Sequence, residues 1–297
     1  RKDQEGVTIR TSLEKSGERL FRLTKGSVAP LKAERAMRKT ELPCELPYEL
    51  SEPNVLVLDI AKYYIDSGYA GENEILKIDR ALRERFGLEL RGGEMVQPWF
   101  KEKFHGASTA EAVCRLTLEY TILVQNLPDG GVSLAMETPE KFEIKLNGIA
   151  IEPQVCGTYL DNSIGCIRLP DGSLHTGQNT LRLECDYSDG LNLEACYLLG
   201  KFGVRVEGHE CWITKLPEKL DARSLCEQGF PFYGGKIKLF TGVKGGHCKL
   251  KFPQIRGAYC EADFGREKDT IAFAPYESQA RTVTEELTFT LCLTRRN

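Results

Sequence analysis

The chain has 297 residues, with 40 Lys and Arg against 43 Asp and Glu and a formal net charge of -3. The basic residues are scattered along the sequence, so no broad basic field is available for nucleic acid, and we expect no such partner. No apolar run approaches the roughly 18–20 residues that cross a bilayer, so we expect no membrane partner. The length predicts two or three domains, because single cores rarely grow past about 250–300 residues.

The 11 cysteines favour a reduced, cytoplasmic protein over a secreted one. Their number is odd, and most of them lie in strand-like runs, where a free thiol behaves as a small buried hydrophobe. Disulfide frameworks of short secreted chains usually have an even number of cysteines. No Cys-x2-Cys pair occurs, so the sequence predicts no zinc site, and we expect no other metal or cofactor.

Residues 1–105 are predicted to form an N-terminal connector region with strands and one helix. The Pro-rich stretch LPCELPYELSEP reads as an extended connector, because proline lacks the backbone donor and restricts its neighbour. The following run NVLVLDIAKYYID is nearly continuous in apolar residues at first, which predicts a strand buried on both faces.

The helix is predicted over 74–86. Its apolar residues fall on one face at helical spacing, and they are Ile75, Ile78, Leu82 and Phe86. Asn73 is the expected N-cap and Gly87 the expected left-handed stop.

Residues 106–207 are predicted to form an antiparallel β-sandwich. Apolar and polar residues alternate in short runs such as KFEIKLNG and GQNTLRLECDY, and a period of two indicates strands with one buried and one solvated face. Asn147-Gly148 is the strongest hairpin signal in the chain. Several such strands at this spacing favour a sandwich.

Residues 208–297 are predicted to form a second β block with Gly-rich turns. The last alternating run, LTFTLCLTRRN, stops with the chain, and Arg1 is not an initiator Met. We therefore expect a block truncated at its C-terminus and a chain that is part of a longer polypeptide. The expected fold class is mostly β, with a sandwich, a second β domain and a short helical connector.

The order of motifs resembles the galactose-binding-like jelly-roll region of large bacterial glycoside hydrolases, rhamnosidase-like and family 2-like. The resemblance is carried by Leu146-Asn147-Gly148, then by 159–164 (YLDNSI), then by 177–183 (GQNTLRL), and later by 194–204 (EACYLLGKFGV). It covers about residues 50–205. It implies that the catalytic carboxylates lie on an upstream barrel of the same polypeptide, which would be the partner of this chain. Nothing here resembles the eightfold alternation of strands and helices that such a barrel needs.

Catalytic motifs are absent from the sequence, so no catalytic residue is assigned. There is no Gly-x-Ser-x-Gly elbow, no His-Glu-x-x-His, no P-loop and no Gly-x-Gly-x-x-Gly. Sugar binding is the remaining chemistry, since a sugar offers an apolar face to an aromatic ring and hydroxyls to polar side chains. The candidate residues are Trp99, Tyr159, Asp161, Asn192 and Glu194. For Trp99, Tyr159, Asp161 and Glu194 a packing or loop-stabilising role is the competing interpretation, and for most of them it is the stronger one.

The leading hypothesis is a non-catalytic accessory region of a multidomain glycoside hydrolase, giving structural support and, as a second role, weak carbohydrate binding. One alternative is a self-contained carbohydrate-active hydrolase with its site between the β blocks. The other is a protein-interaction module that uses an exposed sheet edge. Fold alone does not choose among them.

Overall fold

The structure is a computed structural model that describes residues 11, 20–22, 38–92, 100, 103–104 and 111–294, and the backbone of 2–3 and 6–7. Up to the helix, the elements are β1 (Lys2–Asp3), β2 (Gly6–Val7), β3 (Glu45–Leu46), β4 (Tyr48–Leu50), β5 (Asn54–Leu58), β6 (Ile60–Ile65), β7 (Gly68–Glu74) and α1 (Ile75–Phe86). Next come β8 (Cys114–Val124), β9 (Ser133–Glu137), β10 (Glu143–Leu146), β11 (Ile149–Ile151), β12 (Val155–Tyr159), β13 (Asp161–Arg168), β14 (Gly177–Tyr187), β15 (Cys196–Gly200), β16 (Gly203–Glu207) and β17 (Glu210–Thr214). The last are β18 (Leu220–Asp221), β19 (Lys236–Lys244), β20 (His247–Cys248), β21 (Tyr259–Asp263), β22 (Lys268–Ile271), β23 (Arg281–Thr282) and β24 (Glu286–Cys292). Short 3₁₀ helices lie at Pro139–Lys141 and Cys226–Gln228.

The chain forms two compact units, each built from separate segments. The sandwich unit comprises Glu52–Glu218 and Ser224–Tyr233, and the second unit comprises Arg1–Ser51, Lys219–Arg223 and Gly234–Asn297. The sequence predicts three continuous regions, divided at about residues 105 and 207. Each of the two units instead combines separate segments of the chain. The expected connector region supplies β4 to the second unit and β5 to β7 to the sandwich unit.

Two antiparallel sheets make the sandwich unit, as the alternating pattern predicts. One has the order β11-β10-β14-β8-β17-β16, with β6 also paired to β8 and β7 paired to β6; the other has the order β12-β13-β9-β15-β5. The single parallel contact among these named pairs joins β17 to β8. The mostly β fold with one α-helix is therefore confirmed for the described residues.

The core lies between the two sheets, where strand alternation places apolar side chains of both. Leu181 and Leu183 of β14 face inward at 1% exposure each, and Ile144 of β10 is 2% exposed. They share one cluster with Leu134 and Leu198 of the five-stranded sheet. Since area removed from water stabilises by roughly 25 cal/mol per Å², this cluster is the main apolar contribution to the sandwich.

Helix α1 closes one side of the core, and its bounds differ by one residue from the prediction. Ile75, Ile78 and Leu82 are buried in the sandwich cluster, as the helical spacing predicts. The N-cap is Glu74, whose carboxylate accepts hydrogen bonds from the backbone N–H of Leu76 at 3.0 Å and Lys77 at 3.2 Å. The expected N-cap Asn73 is wrong by one position, because the longer Glu side chain reaches the same donors.

The left-handed stop of α1 at Gly87 is confirmed. Its φ is +66°, and its backbone N–H donates to the carbonyl of Arg83. The predicted hairpin at Asn147-Gly148 is also confirmed, with φ values of +51° and +81° between β10 and β11. Both values match the left-handed pair that a two-residue turn of this kind requires.

The second unit has its own antiparallel sheet, with the order β22-β21-β24-β19-β4. Ile237 and Leu239 of β19 and Phe289 of β24 are buried at 2% exposure or less. The last predicted strand is therefore an interior strand of this sheet, paired on both sides.

Candidate functional site

The candidate site lies on the outer face of the five-stranded sheet, which is the face opposite the sandwich core. This face has a small apolar cluster of its own, formed by Val55, Ala135, Ile164, Cys166 and Leu199. Tyr159, Tyr197 and Phe232 are partly buried against that cluster. An apolar floor with aromatic rings beside it therefore exists on a face that the core does not use.

An aromatic pair marks one end of this face. Tyr197 lies on β15 and Tyr159 ends β12, and their ring centroids are 5.3 Å apart at an interplanar angle of 58°. Leu160, with φ of +66°, makes the tight turn that pairs Tyr159 with Asp161 at the start of β13. Tilted aromatic pairs at this distance stabilise each other and hold their rings in place.

Glu137 is the central polar residue of the site. It ends β9 opposite Ile164, and its Oε1 lies 3.4 Å from the hydroxyl oxygen of Ser163. Burial raises the pKa of the Glu137 carboxyl, and the neighbouring charge of Glu194 raises it further, while Arg91 acts in the opposite direction. The surroundings of Glu137 therefore disfavour its charged form.

Glu194 is held by an arginine that also reaches the buried helix. Arg91 Nη1 lies 2.8 Å from Glu194 Oε1, and Arg91 Nε lies 3.1 Å from Asp79 Oδ2. This guanidinium keeps Glu194 paired while Glu137 is not ion-paired within the described residues. The two carboxyls therefore have different electrostatic environments on one surface.

Glu137, Asn192 and Glu194 line a small crevice at the edge of the sandwich, and its other walls are buried residues of the sandwich core. Its volume is about 10 Å³, and its walls are Leu118, Tyr120, Met136, Glu137, Phe142, Leu183, Asn192, Leu193, Glu194 and Cys196. A cavity of this size holds about one water molecule and cannot enclose a sugar ring. The crevice leads into the core, so a ligand on the outer face of the five-stranded sheet would lie on the surface formed by the outer apolar cluster and the tyrosine pair.

Asp161 stabilises its own turn. Its Oδ1 accepts hydrogen bonds from the backbone N–H of Ser163 at 2.7 Å and from the Ser163 hydroxyl at 2.6 Å. These hydrogen bonds, led by that from the hydroxyl, lower the pKa of Asp161. These contacts are those of an acceptor that stabilises its own loop, which is the competing interpretation of Asp161.

The structure brings four of the five predicted site residues to one end of the sheet, and these are Tyr159, Asp161, Asn192 and Glu194. Trp99, the fifth, lies outside the described residues. Sequence reasoning missed Glu137, Tyr197 and Arg91. Strand alternation could have placed Tyr197 on the same face as Leu199, but the proximity of Glu137 depends on the long-range pairing of β9 with β13 and β15.

Two further findings concern only the described ranges. No group of three or more His, Cys, Asp or Glu side chains is arranged there to hold a metal ion. None of the helical segments found there combines the length and hydrophobicity needed to cross a bilayer.

No protein-family model and no curated protein matches the chain. Among solved structures, it is similar to a family 2 β-galacturonidase from Eisenbergiella tayi bound to galacturonate, with a TM-score of 0.26, 10% identity, and coverage of 86% of this chain and 38% of that one. It is also similar to a β-D-mannosidase from Dictyoglomus thermophilum, with a TM-score of 0.30, 12% identity, and coverage of 81% of this chain and 31% of that one. A third similar structure is a β-glucuronidase from Ruminococcus gnavus in complex with an N1-substituted uronic isofagomine. Its TM-score is 0.27 and its identity 9%, and the match covers 86% of this chain and 43% of that one. The chain spans less than half the length of each of these structures, and likenesses of this size carry no argument about its function.

Proposed function

We propose that the sandwich unit is a non-catalytic accessory region of a multidomain glycoside hydrolase and that the outer face of its five-stranded sheet binds a carbohydrate weakly. The observation that supports this most is the Tyr159–Tyr197 pair beside Glu137. A pyranose ring presents C–H groups that pack on an aromatic ring and hydroxyls that need donors and acceptors at its rim. Both kinds of group are adjacent here.

The polar groups at the rim are suited to hydroxyls. Glu194 is fixed by Arg91 at 2.8 Å, so its second oxygen remains in a defined position as an acceptor. Glu137 supplies a second carboxyl, which is not ion-paired within the described residues and whose pKa is raised by burial. Hydrogen bonds to such charged or polarised groups contribute about 1.5–3 kcal/mol each at best, which supports weak and selective binding.

Binding is favoured over hydrolysis because the crevice that Glu137 and Glu194 line is too small to enclose a sugar. Enzyme pockets for small molecules are about 300–1,000 Å³ and bury most of the ligand, whereas the crevice between Glu137 and Glu194 is about 10 Å³. Glycoside hydrolysis also needs two carboxyls placed on either side of the scissile bond. A crevice of about 10 Å³ leaves no room for such a bond between Glu137 and Glu194.

The motif order that resembles galactose-binding-like jelly rolls supports the accessory placement. In this proposal an upstream catalytic domain of the same polypeptide carries out the chemistry in the cytoplasm. The sandwich then supports that domain structurally and holds one sugar unit of its substrate.

The binding proposal is tested by calorimetric titration of galactose, rhamnose and their disaccharides up to tens of millimolar. We expect saturable binding in the millimolar range, which Tyr197→Ala and Glu137→Gln each weaken at least about fivefold. Thr121→Ala is the matched control, because Thr121 is exposed on the other sheet. The absence of a saturable signal, or equal loss in the control, removes the binding role. Release of monosaccharide by the purified chain would instead support the self-contained hydrolase.

A further inference from the structure

Two cysteines lie together at the edge of the five-stranded sheet of the sandwich unit. In the order β12-β13-β9-β15-β5, the outermost strand is β12. Cys156 lies on β12 and Cys166 on the neighbouring strand β13, and both are thiols. Two cysteines on neighbouring strands can be joined covalently only if their side chains meet, so the local geometry decides what this pair can do.

A β-bulge brings the two side chains together. In the register of these strands, Val155 pairs with Ile167. The next pair joins Gly157 to Cys166, which leaves Cys156 as an extra residue of β12. A bulge sets two residues of one strand against one residue of its partner and redirects a side chain. The Cys156 thiol donates to the backbone carbonyl of Cys166, with Sγ and O 3.3 Å apart.

The spacing of the pair is compatible with a disulfide. Residues opposite each other in antiparallel strands have Cα atoms about 4.5–5.5 Å apart, and disulfides usually join Cα atoms about 4.4–6.8 Å apart. The Cys156 sulfur already lies against the backbone of Cys166. We therefore expect rotation of the two side chains about their Cα–Cβ bonds to bring the sulfurs together without a change in strand pairing.

The two thiols differ in access to solution. Cys156 is exposed, whereas Cys166 is 8% exposed and belongs to the outer apolar cluster. Burial raises the pKa of Cys166, so it is the poorer nucleophile toward a reagent in solution. A Cβ at Gly157 would meet no atom beyond its chain neighbours within 4 Å, so the surface next to Cys156 is open. An oxidant in solution therefore reaches Cys156 first.

Two other pairs of cysteines on neighbouring strands lack this arrangement. Cys114 and Cys185 are both buried, at 7% and 1% exposure, so neither is open to a reagent in solution. Cys260 of β21 pairs with Leu291, the residue before Cys292 of β24. Since successive side chains of a strand point to opposite faces, the thiols of Cys260 and Cys292 lie on opposite faces of their sheet.

We propose that Cys156 and Cys166 are a reversible oxidation site, at which oxidised glutathione produces an intramolecular disulfide. The Cys156 thiolate attacks one sulfur of oxidised glutathione, which forms a mixed disulfide and releases one glutathione thiolate. The Cys166 thiolate then attacks Sγ of Cys156 and displaces the second glutathione. The chain loses two protons and two electrons, and one oxidised glutathione becomes two reduced molecules. An excess of reduced glutathione reverses both steps, so both thiols stay free in a reducing compartment.

The disulfide would fasten the outermost strand of the sheet. Four of the five residues of β12 are exposed, so little apolar burial holds this strand in place. The turn at Leu160 joins β12 to β13 at one end, and the disulfide would join them near the other. We therefore expect β12 to open less often in the oxidised chain. The proposal does not rest on sugar binding at the outer face.

The test treats the folded full chain with excess oxidised glutathione, blocks the remaining thiols by alkylation and maps the disulfides by peptide mass spectrometry. We expect a cross-link between Cys156 and Cys166, no glutathione retained on either, and full reversal by reduced glutathione. Glutathione that stays on Cys156, or a cross-link that forms first between other cysteines, would overturn the proposal.

Two variants separate the roles of the thiols. Cys166→Ala removes the second nucleophile, so Cys156 should retain glutathione at least about tenfold more than in the original chain. Cys226→Ser removes another exposed thiol of the sandwich unit and is the matched control, which should form the cross-link like the original chain. Equal retention of glutathione in Cys166→Ala and the original chain would contradict the assigned order of steps.

Hydrogen exchange measures the effect on the strand. The amides of β12 should exchange at least about fivefold more slowly in the oxidised chain than in the reduced chain. Cys166→Ala, treated in the same way, should show no such slowing. Unchanged exchange in the cross-linked original chain would overturn the stabilising role of the disulfide.

Discussion

The hydroxyl of Tyr187 donates a hydrogen bond to Oδ1 of Asp79 at 2.9 Å, across 108 positions of sequence. The other carboxylate oxygen of Asp79 lies 2.9 Å from Nε of Arg83, and all three side chains are almost fully buried. Arg83 also donates to the carbonyls of Glu89 and Leu191. The helix α1 is therefore attached to β14 by a buried polar network as well as by its apolar face.

We predict that Asp79→Asn destabilises the chain strongly. It leaves Arg83 buried with only Asp189, at 3.3 Å, as a carboxylate partner on that guanidinium. Removing one partner of a buried ion pair typically costs about 3–5 kcal/mol of unfolding free energy. Tyr187→Phe, which removes one hydrogen bond, should cost about 1 kcal/mol. Urea denaturation measures both.

Glu84→Gln is the control for this pair of variants. Glu84 pairs with Arg80 on the exposed side of the same helix, and exposed pairs of this kind contribute about 0.3–0.5 kcal/mol. A loss in Asp79→Asn as small as that of the control would contradict the structural role of the network.

Glu184 predicts a dependence of stability on pH. It accepts hydrogen bonds from Lys145 at 3.0 Å and Arg182 at 2.9 Å on the solvated face of the larger sheet. The bond from Lys145, followed by those from Arg182, lowers the pKa of Glu184 from 4.5 to about 2. A lowered carboxyl pKa gives stability that is present above about pH 4.5 and is lost as the pH falls toward 2.

Glu184→Gln should therefore lower the unfolding free energy at pH 7 by about 1–2 kcal/mol, after allowance for solvent screening. The difference from the original chain should shrink between pH 4.5 and 2, as followed by urea denaturation at a series of pH values. The control Glu143→Gln removes an exposed partner of Arg115 and should cost less than about 0.5 kcal/mol. A difference that stays constant down to pH 2 would contradict the assigned cause.

Glu137→Gln should stabilise the chain while weakening sugar binding. Burial and the charge of Glu194 raise the pKa of Glu137, so its stabilising contribution is present below its ordinary pKa and is lost as the pH rises through the raised value. At pH 7 the unfolding free energy of the Glu137→Gln variant should be higher than that of the original chain by about 0.5–1 kcal/mol. Gains of this size are usual when a destabilising group of a functional site is replaced. Thermal denaturation at pH 4 and pH 7 tests it. Destabilisation at pH 7 would show that Glu137 is a structural residue.

Asn54 is predicted to be essential to the edge strand β5. Its buried Nδ2 donates to the carbonyls of Phe202 at 2.8 Å and Gly229 at 2.7 Å. Asn54→Ala leaves two buried carbonyls without this donor, so we expect a loss of about 2–3 kcal/mol in urea denaturation. Asn126→Ala, at an exposed position of the same unit, is the control. Equal losses in the two variants would mean that these hydrogen bonds contribute nothing specific.

Thiol labelling without reductant tests the expectation of a reduced protein. Cys44, Cys156 and Cys226 are exposed and should react within minutes at pH 8. Burial raises the pKa of Cys185 and Cys196 to about 12, so these thiols should react only after unfolding. All 11 cysteines should react in guanidinium chloride. A smaller number would show that disulfides form and that the reduced interpretation is wrong.

Much of the sandwich could be predicted from the sequence, because strand alternation and tight turns depend on residues that are close together in the chain. The alternation that buries Leu181 and Leu183 and the turn at Asn147-Gly148 depend on neighbours in the chain. The pairing of β5 with β15 depends on contacts about 140 positions apart, which no local pattern specifies. For this reason, the expected connector region proved to contain strands of both units.

The candidate site could be predicted only in part for the same reason. Tyr159 and Asp161 stand next to each other at one turn, so their proximity is a property of the sequence. Glu137 joins them because β9 pairs with β13, and Tyr197 because β9 pairs with β15. The chemistry of the site therefore depends on sheet order, which composition and spacing do not determine.

The most direct test of sugar binding at the outer face is amide chemical-shift mapping of the chain, during titration with the sugar that binds best in calorimetry. We predict saturable shifts that are confined to β9, β13 and β15 around Glu137, Ser163 and Tyr197, and that disappear in Tyr197→Ala. Shifts centred on the larger sheet or on the second unit, with none around Glu137, would contradict the assignment of the outer face as the sugar-binding surface.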